Sequence, residues 1–293
     1  MAKQKAFDGK STAEEVTAGI DLSGQTWLIT GANSGLGFES ARVLSMRGAR
    51  IIAAARTTAK AADALSRLGI DGLPVACELS DLASVREAVE TVNGAGPLDG
   101  IMANAGIMAL PELNQVHGYE LQFFTNHVGH FLLVTGLADQ LTSSGRVVIL
   151  SSLAHQYAKR GMELENLSGE DEYSPWRAYG RSKLANILFA KGLAKRFEGT
   201  QRTANSLHPG VIDTNLGRHV PDREGMYDRM RNMMKTLEQG AATQCYLAAR
   251  PELAGVSGVY FSNCAPANTR PEADDEALVE RLWTRTEEIV ASL

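Results

Sequence analysis

Cysteine is scarce: Cys77, Cys245 and Cys264 are odd in number, far apart, and form no Cys-x-x-Cys or Cys/His ligand spacing. That scarcity argues against a disulfide framework or structural zinc and predicts a reduced, cytoplasmic protein. No apolar run approaches the ~18 residues that would span a membrane. The first residues, "MAKQKAFDGKSTAEEVTAGIDLSG", are polar, without the apolar core of a signal peptide. Basic runs are missing too, and acidic residues outnumber basic ones 34 to 29. This balance opposes binding to a phosphate backbone and leaves no expected nucleic-acid partner. Internal repeats and low-complexity linkers are absent. What remains, 44% hydrophobic and 22% charged residues over 293, suits one large α/β domain, residues 1–293.

Short β-rich runs occur at 26–30, 50–55, 73–77, 98–104, 146–151, 203–208 and 258–262, with helix-period segments at 37–47, 81–92, 119–141 and 178–197. Gly48 reads as a helix C-cap and Asp81 as an N-cap. Strands alternating with helices predict a doubly wound parallel sheet of about seven strands, covered on both faces. Several strands are continuous apolar runs, as expected of strands buried on both sides. A partial apolar stripe, Leu278, Leu282, Ile289 and Val290, marks a C-terminal helix near 273–292.

In such a sheet ligands bind beyond the carboxyl ends of the strands. The first strand ends there in Thr30-Gly31-Ala32-Asn33-Ser34-Gly35-Leu36-Gly37. Glycine permits positive φ and close approach to a pyrophosphate, and a helix starting near Gly35 aims its free N–H groups at that phosphate. The spacing T-G-x-x-x-G-x-G matches neither the G-x-G-x-x-G nor the Walker pattern. The second strand ends on Arg56. An acid there would bind the ribose 2′-OH of NAD, whereas a guanidinium pairs with a 2′-phosphate. Residues 53–55 are all alanine, so no carboxylate repels that phosphate, and Ser34 can add a hydroxyl. The plainer reading of Arg56 is a solvated loop arginine; its position favours NADP(H).

Tyr179 and Lys183 stand four apart, on one helix face. Other Tyr/Arg pairs share that spacing, so context carries the signal: Ser151 and Ser152 end the fifth strand just upstream. A phenol with a pKa near 10 is a poor acid–base catalyst at neutral pH. A neighbouring ammonium and an oxidised nicotinamide would lower that pKa. Ser152 then holds a carbonyl oxygen while Tyr179 exchanges its proton, although a strand-end serine can equally cap backbone.

With "STAEEVTAGIDLSG", "TGANSGLG", "ANAGIM", "NHVGHFLL", "ILSSLAH", "YGRSKLANILF", "SLHPGVIDTNL" and "LWTRTEEIV" in one chain, the sequence resembles the short-chain dehydrogenase/reductase superfamily, in the branch of the retinol dehydrogenases. The resemblance implies a catalytic tetrad of Asn126, Ser152, Tyr179 and Lys183, with the Asn126 carbonyl holding a water in a proton relay from Lys183. It places Asn104, Ala105 and Gly106 under the cofactor, and Pro209, Gly210, Val211 and Thr214 at the nicotinamide carboxamide. Glu78 and Leu79 fall at the adenine, with Glu78 where the family usually has Asp. No metal is implied. Dimers or tetramers through the helices of 119–141 and 178–197 are. The branch is often membrane-anchored, and no anchor is read here.

The family's substrate lid falls on 215–240. Met226, Met230, Met233 and Met234 fall on one helical face, either a core-packing stripe or an adaptable apolar lining. The lining reading predicts a bulky apolar ketone, aldehyde or alcohol as substrate, with Met108, His155 and Tyr157 beside it. NADP(H)-dependent carbonyl/alcohol interconversion leads. A sugar-nucleotide epimerase or dehydratase would need T-G-x-x-G-x-x-G, where Ser34 replaces a required glycine. A non-enzymatic dinucleotide sensor typically lacks the Tyr/Lys pair.

Overall fold

Leu28 and Ile29 are neighbours in sequence but belong to cores on opposite faces of one sheet, as do Val147 and Val148. This explains why the strands read as unbroken apolar runs: alternate side chains go to opposite sides, and both sides are covered. The computed structural model describes residues 7–220 and 222–293. Residues 1–6 of the polar leader, and Pro221 within the expected lid, lie outside the described residues.

The strands are β1 Thr26–Thr30, β2 Arg50–Ala55, β3 Gly72–Ala76, β4 Leu98–Ala103, β5 Leu141–Leu150, β6 Thr203–His208, β7 Tyr260–Ser262 and β8 Ala265–Pro266. Their order across the sheet is β8-β7-β6-β5-β4-β1-β2-β3. All neighbours are parallel except the β7–β8 pair. The sheet thus has eight strands, the sequence pattern having missed the two-residue antiparallel edge. From β1 the chain winds outward to β3, then returns to lay β4 against the other side of β1. The carboxyl ends of β1 and β4 therefore diverge into a crevice, which sets Thr30–Gly37 beside Asn104–Gly106.

Helix α1 (Ala13–Val16) precedes β1, α2 (Gly35–Met46) and α3 (Thr58–Leu68) follow β1 and β2, α4 (Leu82–Asn93) follows β3, and α7 (Arg223–Arg229) and α8 (Leu237–Ala249) follow β6. Asp81 caps α4, its side chain accepting from Ala83 and Ser84 N–H. Arg47 is the capping position of α2, and Gly48 follows at φ +97°. The segment expected as one helix over 119–141 is shorter and interrupted. A small hairpin, Gln115–Val116 with Tyr119–Glu120, precedes Leu121–Phe123, a π-helical turn at Phe124–Val128, and α5 (Gly129–Gly136). Strand pairing claims Leu141 instead, opposite Leu98. Helix α6 (Pro175–Arg196) is buried on nearly every side.

The C-terminal helix α9 (Glu276–Ser292) packs on its own chain. Trp283 lies under the Arg196 guanidinium, 3.5 Å from ring centroid to Cζ, and Thr286 Oγ1 is 3.0 Å from His127 Nε2. It lies across the helices through which the resemblance implies oligomerisation. Among the described residues no helix is long and apolar enough to cross a membrane, and no metal-ligating cluster occurs.

Candidate active site

The glycine turn is built by sterics. Gly31 and Gly35 sit at φ +67° and +56°, where side chains with a Cβ are strained. Gly37 is helical, but a Cβ there would stand 2.4 Å from the Gly31 carbonyl oxygen and 2.6 Å from Asn104 Nδ2. Ser34 caps α2 with extended backbone and no side-chain hydrogen bond, so the first N–H groups of α2 keep their donors for an external acceptor. Asn33 is half-buried, its carbonyl 3.4 Å from Arg67 Nη1, while the Leu36 carbonyl accepts from Gln244 Nε2.

Across the crevice, Asn104 Nδ2 donates to the Thr30 carbonyl, and the N–H groups of Asn104 and Ala105 both donate to Thr30 Oγ1, at 2.9 and 3.0 Å. The Asn104 carboxamide oxygen is buried and has no partner. A tight glycine cradle, unspent helix N–H groups and an orphaned buried acceptor fit a bound dinucleotide.

Arg56 directly follows β2, is exposed, and pairs with no acid among the described residues. Sequence spacing gave no hint of a second cation: Arg218, on the 3₁₀ turn Asn215–His219, is held below its ordinary pKa by burial and by the positive charge of Arg56. Thr214, which caps that turn through Leu216 N–H, lies 3.6 Å from the position of a Gly35 Cβ. The segment after β6 thus returns to the glycine turn. Gly210 reaches φ +109° against the Lys235 side chain, with Pro209 before it, and Val211 bridges to Met234. Glu78 is turned onto Ser80, accepting from its N–H and hydroxyl, and Leu79 is buried.

Three tetrad side chains meet because α6 lies tight against the turn that follows Ser152: a Cβ on Gly180 would come 2.5 Å from the Ala154 carbonyl oxygen. Ser151 and Ser152 divide their roles. Ser151 is buried and donates to the Lys183 carbonyl, locking helix to strand. Ser152 caps Leu153–Tyr157 by accepting from Ala154 N–H, and also faces the Tyr179 phenol. Capping and contact with the phenol thus coexist at one hydroxyl.

Tyr179 is 4% exposed. Burial pushes its phenol above the ordinary range, and Ser152 offsets part of the rise. The expected downward shift is therefore not a property of the protein alone, because desolvation of the phenolate outweighs its neighbours. Lys183 Nζ lies 5.6 Å from the Tyr179 ring centroid and donates to the Leu150 carbonyl at 3.1 Å. Burial lowers the ammonium to about 8. Asn126, in the π-helical turn, spends its side chain on structure: Oδ1 accepts from Ile107 N–H, and Nδ2 donates to the Ile107 carbonyl and Ser182 Oγ. Gly106 closes the group, a Cβ there standing 3.0 Å from Asn126 Oδ1 and 3.6 Å from Lys183 Nζ.

Around the phenol, Met108, Ala109 and Ala154 form a buried apolar cluster with Tyr179, covered by Trp176, Leu216 and Val220. His155 is fully buried, its Nδ1 2.6 Å from the Ser152 carbonyl. Tyr157 is half exposed and packs edge-on to Trp176. The methionine stripe is not one helical face. Helix α7 spans only Arg223–Arg229, Met230 ends it, Met233 is 57% exposed on a 3₁₀ turn, and Met234 is extended against Val211. The residues from that segment on the phenol are Leu216 and Val220.

Two buried histidines beside the site give it an acid limit. Burial lowers His127 to about 3 and His130 to about 4. Unfolded, both titrate near 6.5, so below that pH the unfolded chain binds more protons than the native one. The stabilisation is whole above pH 6.5 and is lost as pH falls toward 4, on the order of several kcal/mol for the pair. Thermal melts from pH 7.5 to 4.5 should show Tm falling below pH 6.5, less steeply in His127→Gln.

The family model for short chain dehydrogenases matches residues 25–225. Over the whole chain the protein is 40% identical to short-chain dehydrogenase TIC 32 B, chloroplastic, of Brassica napus, covering 97% of that protein. It is also 40% identical to mouse (Mus musculus) retinol dehydrogenase 14, over 93% of this chain and 87% of that one. A solved structure of an uncharacterised protein from Mycobacterium paratuberculosis superimposes with a TM-score of 0.76 at 34% identity, over 96% of this chain and 98% of that one. A short-chain dehydrogenase from Burkholderia cenocepacia, solved in complex with NADP, shares the fold at TM-score 0.68 and 23% identity, over 83% and 99% of the two chains. With its doubly wound sheet, its glycine turn and its Ser/Tyr/Lys grouping, the chain belongs to the short-chain dehydrogenase family, in the branch of the retinol dehydrogenases.

Proposed function

We propose that the protein is an NADP(H)-dependent oxidoreductase that interconverts bulky hydrophobic ketones or aldehydes with their alcohols. The observation that carries this reading is the buried Tyr179 phenol, faced by Ser152 and by the Lys183 ammonium, inside an apolar cluster. When bound, NADP(H) supplies or accepts the reducing equivalents at its nicotinamide.

Everything else falls to the chain. Gly31, Gly35 and Gly37 let backbone approach the pyrophosphate, and the free N–H groups of α2 bind it. Arg56, with Arg218 near it, supplies positive charge for a 2′-phosphate. The Ser152 hydroxyl holds the substrate oxygen and Tyr179 Oη gives that oxygen its proton in reduction, or takes it in oxidation. Lys183 keeps positive charge by the phenol, which favours the phenolate left after proton donation. Met108, Ala109, Trp176, Leu216 and Val220 exclude water and leave few polar groups to recognise a sugar, which favours apolar substrates.

The test is NADPH consumption across a ketone series of increasing apolar bulk, from acetone to a bicyclic aryl ketone. kcat/KM should climb on the order of tenfold for each one or two buried methylenes. A flat series, or preference for a polyhydroxylated carbonyl, would contradict the substrate class.

A further inference from the structure

Asn126 has one group left for chemistry, its backbone carbonyl, because Ile107 and Ser182 take its side chain. That carbonyl is already met from within the protein: His130 Nδ1 stands 2.9 Å from it. The other ring nitrogen, Nε2, stands 2.8 Å from Thr30 Oγ1. His130, Asn126 and Thr30 are all buried, at 0%, 0% and 1% exposure.

The network assigns the tautomer. Thr30 Oγ1 accepts from the N–H groups of both Asn104 and Ala105, which uses its two lone pairs. Its single hydrogen must then donate, and His130 Nε2 at 2.8 Å is far better placed than the Met102 carbonyl at 3.5 Å. Nε2 is therefore the acceptor, and Nδ1 carries the hydrogen that goes to the Asn126 carbonyl. One imidazole thus joins the two sides of the crevice, linking the end of β1 and the backbone after β4 to the π-helical turn. The π turn shifts the backbone ladder to i→i+5, as Gly129 N–H to the Phe124 carbonyl shows, and His130 adds a side-chain partner to the Asn126 carbonyl within that turn.

We propose that His130 is a positioning residue for proton transfer: by donating from Nδ1 to the Asn126 carbonyl while accepting from Thr30, it fixes the direction of that carbonyl's remaining lone pair and ties it to the Asn104–Ala105 floor of the cofactor crevice. The inference rests on the functional reading above. The titratable groups that interact with His130 are Lys183 on α6 and His127 in the π-helical turn, while the Tyr260 phenol on β7 interacts with Tyr179. Lys183, lowered to about 8, sets an alkaline limb in the pH profile.

The experiment compares wild type, His130→Leu, which removes both hydrogen bonds, and His130→Asn, which keeps a donor near the Nδ1 position. Each is assayed for kcat and KM from pH 6 to 10, for NADPH affinity by fluorescence titration, and for Tm. In the wild type, ¹⁵N NMR should show His130 neutral with the hydrogen on Nδ1. His130→Leu should lose kcat on the order of 10- to 100-fold and shift the alkaline limb, with NADPH affinity little changed. His130→Asn should regain roughly fivefold or more of that loss, the equivalent of one hydrogen bond. Should His130→Leu fail to fold, the Asn variant's pH profile and the wild-type NMR tautomer decide. Hydrogen on Nε2, an unshifted profile in a folded variant, or a kcat loss that only tracks lost NADPH binding overturns the proposal. A wild type that binds NADPH but turns over no carbonyl overturns the functional reading, and this one with it.

Discussion

Replacing Tyr179 with Phe should reduce kcat/KM for ketone reduction by about 10²- to 10⁴-fold, the usual contribution of a positioned acid–base group. NADPH affinity and Tm should hardly move. The phenol is 4% exposed, in contact with apolar neighbours, and its hydroxyl faces Ser152. Deleting Oη therefore costs little packing and relieves the burial that holds the phenol above its ordinary pKa. Stopped-flow measurement of NADPH consumption, with a parallel fluorescence titration, separates the two effects. Full activity in the variant would remove Tyr179 from the proton path.

The second large effect concerns the cofactor. Arg56→Ala should lower the ratio of kcat/KM for NADPH to that for NADH by about 10- to 100-fold, since a hydrogen bond to a charged group contributes about 1.5–3 kcal/mol. NADH itself should be used no worse than before. Arg218→Ala should act in the same direction and more weakly, because its guanidinium also donates to the Asn215 carbonyl within its own turn. The two cations repel each other and neither has an acid partner among the described residues. An anion between them would relieve that repulsion. If the wild type used NADH equally well, Arg56 would be an ordinary solvated side chain.

Local patterns made much of this molecule legible. Strands 26–30 and 50–55 were readable to the residue because each is largely a short apolar run beside turn chemistry, and 203–208, though mostly polar, was readable as a short segment ahead of Pro209 and Gly210. The glycine turn was readable because its steric demand leaves a residue-type signature. Where tertiary pairing overrides local pattern, the reading failed. Leu141 is drawn into a strand opposite Leu98, and Met234 is held extended by Val211, so neither continues the helical period that precedes it. The lowered Tyr179 pKa was expected from charges alone, but depth of burial is invisible in a sequence. Thr30 and His130 lie 100 residues apart, and Arg56 is still more remote from Arg218 in the chain. Only the reversal of strand order at β1, which lays β4 on its other side, and the return of the chain after β6 bring them together.

The central claim is that reducing equivalents pass from NADPH to a carbonyl carbon in this site, with Tyr179 supplying the proton. Mixing the protein with NADPH deuterated at the nicotinamide C4 and a bulky aryl ketone, then analysing the alcohol by mass spectrometry, tests it directly. Deuterium should appear at the carbinol carbon from one C4 epimer and not the other, and Tyr179→Phe should form almost none. NADPH that binds tightly while no labelled alcohol forms from any ketone or aldehyde would contradict the account and make the protein a dinucleotide-binding sensor.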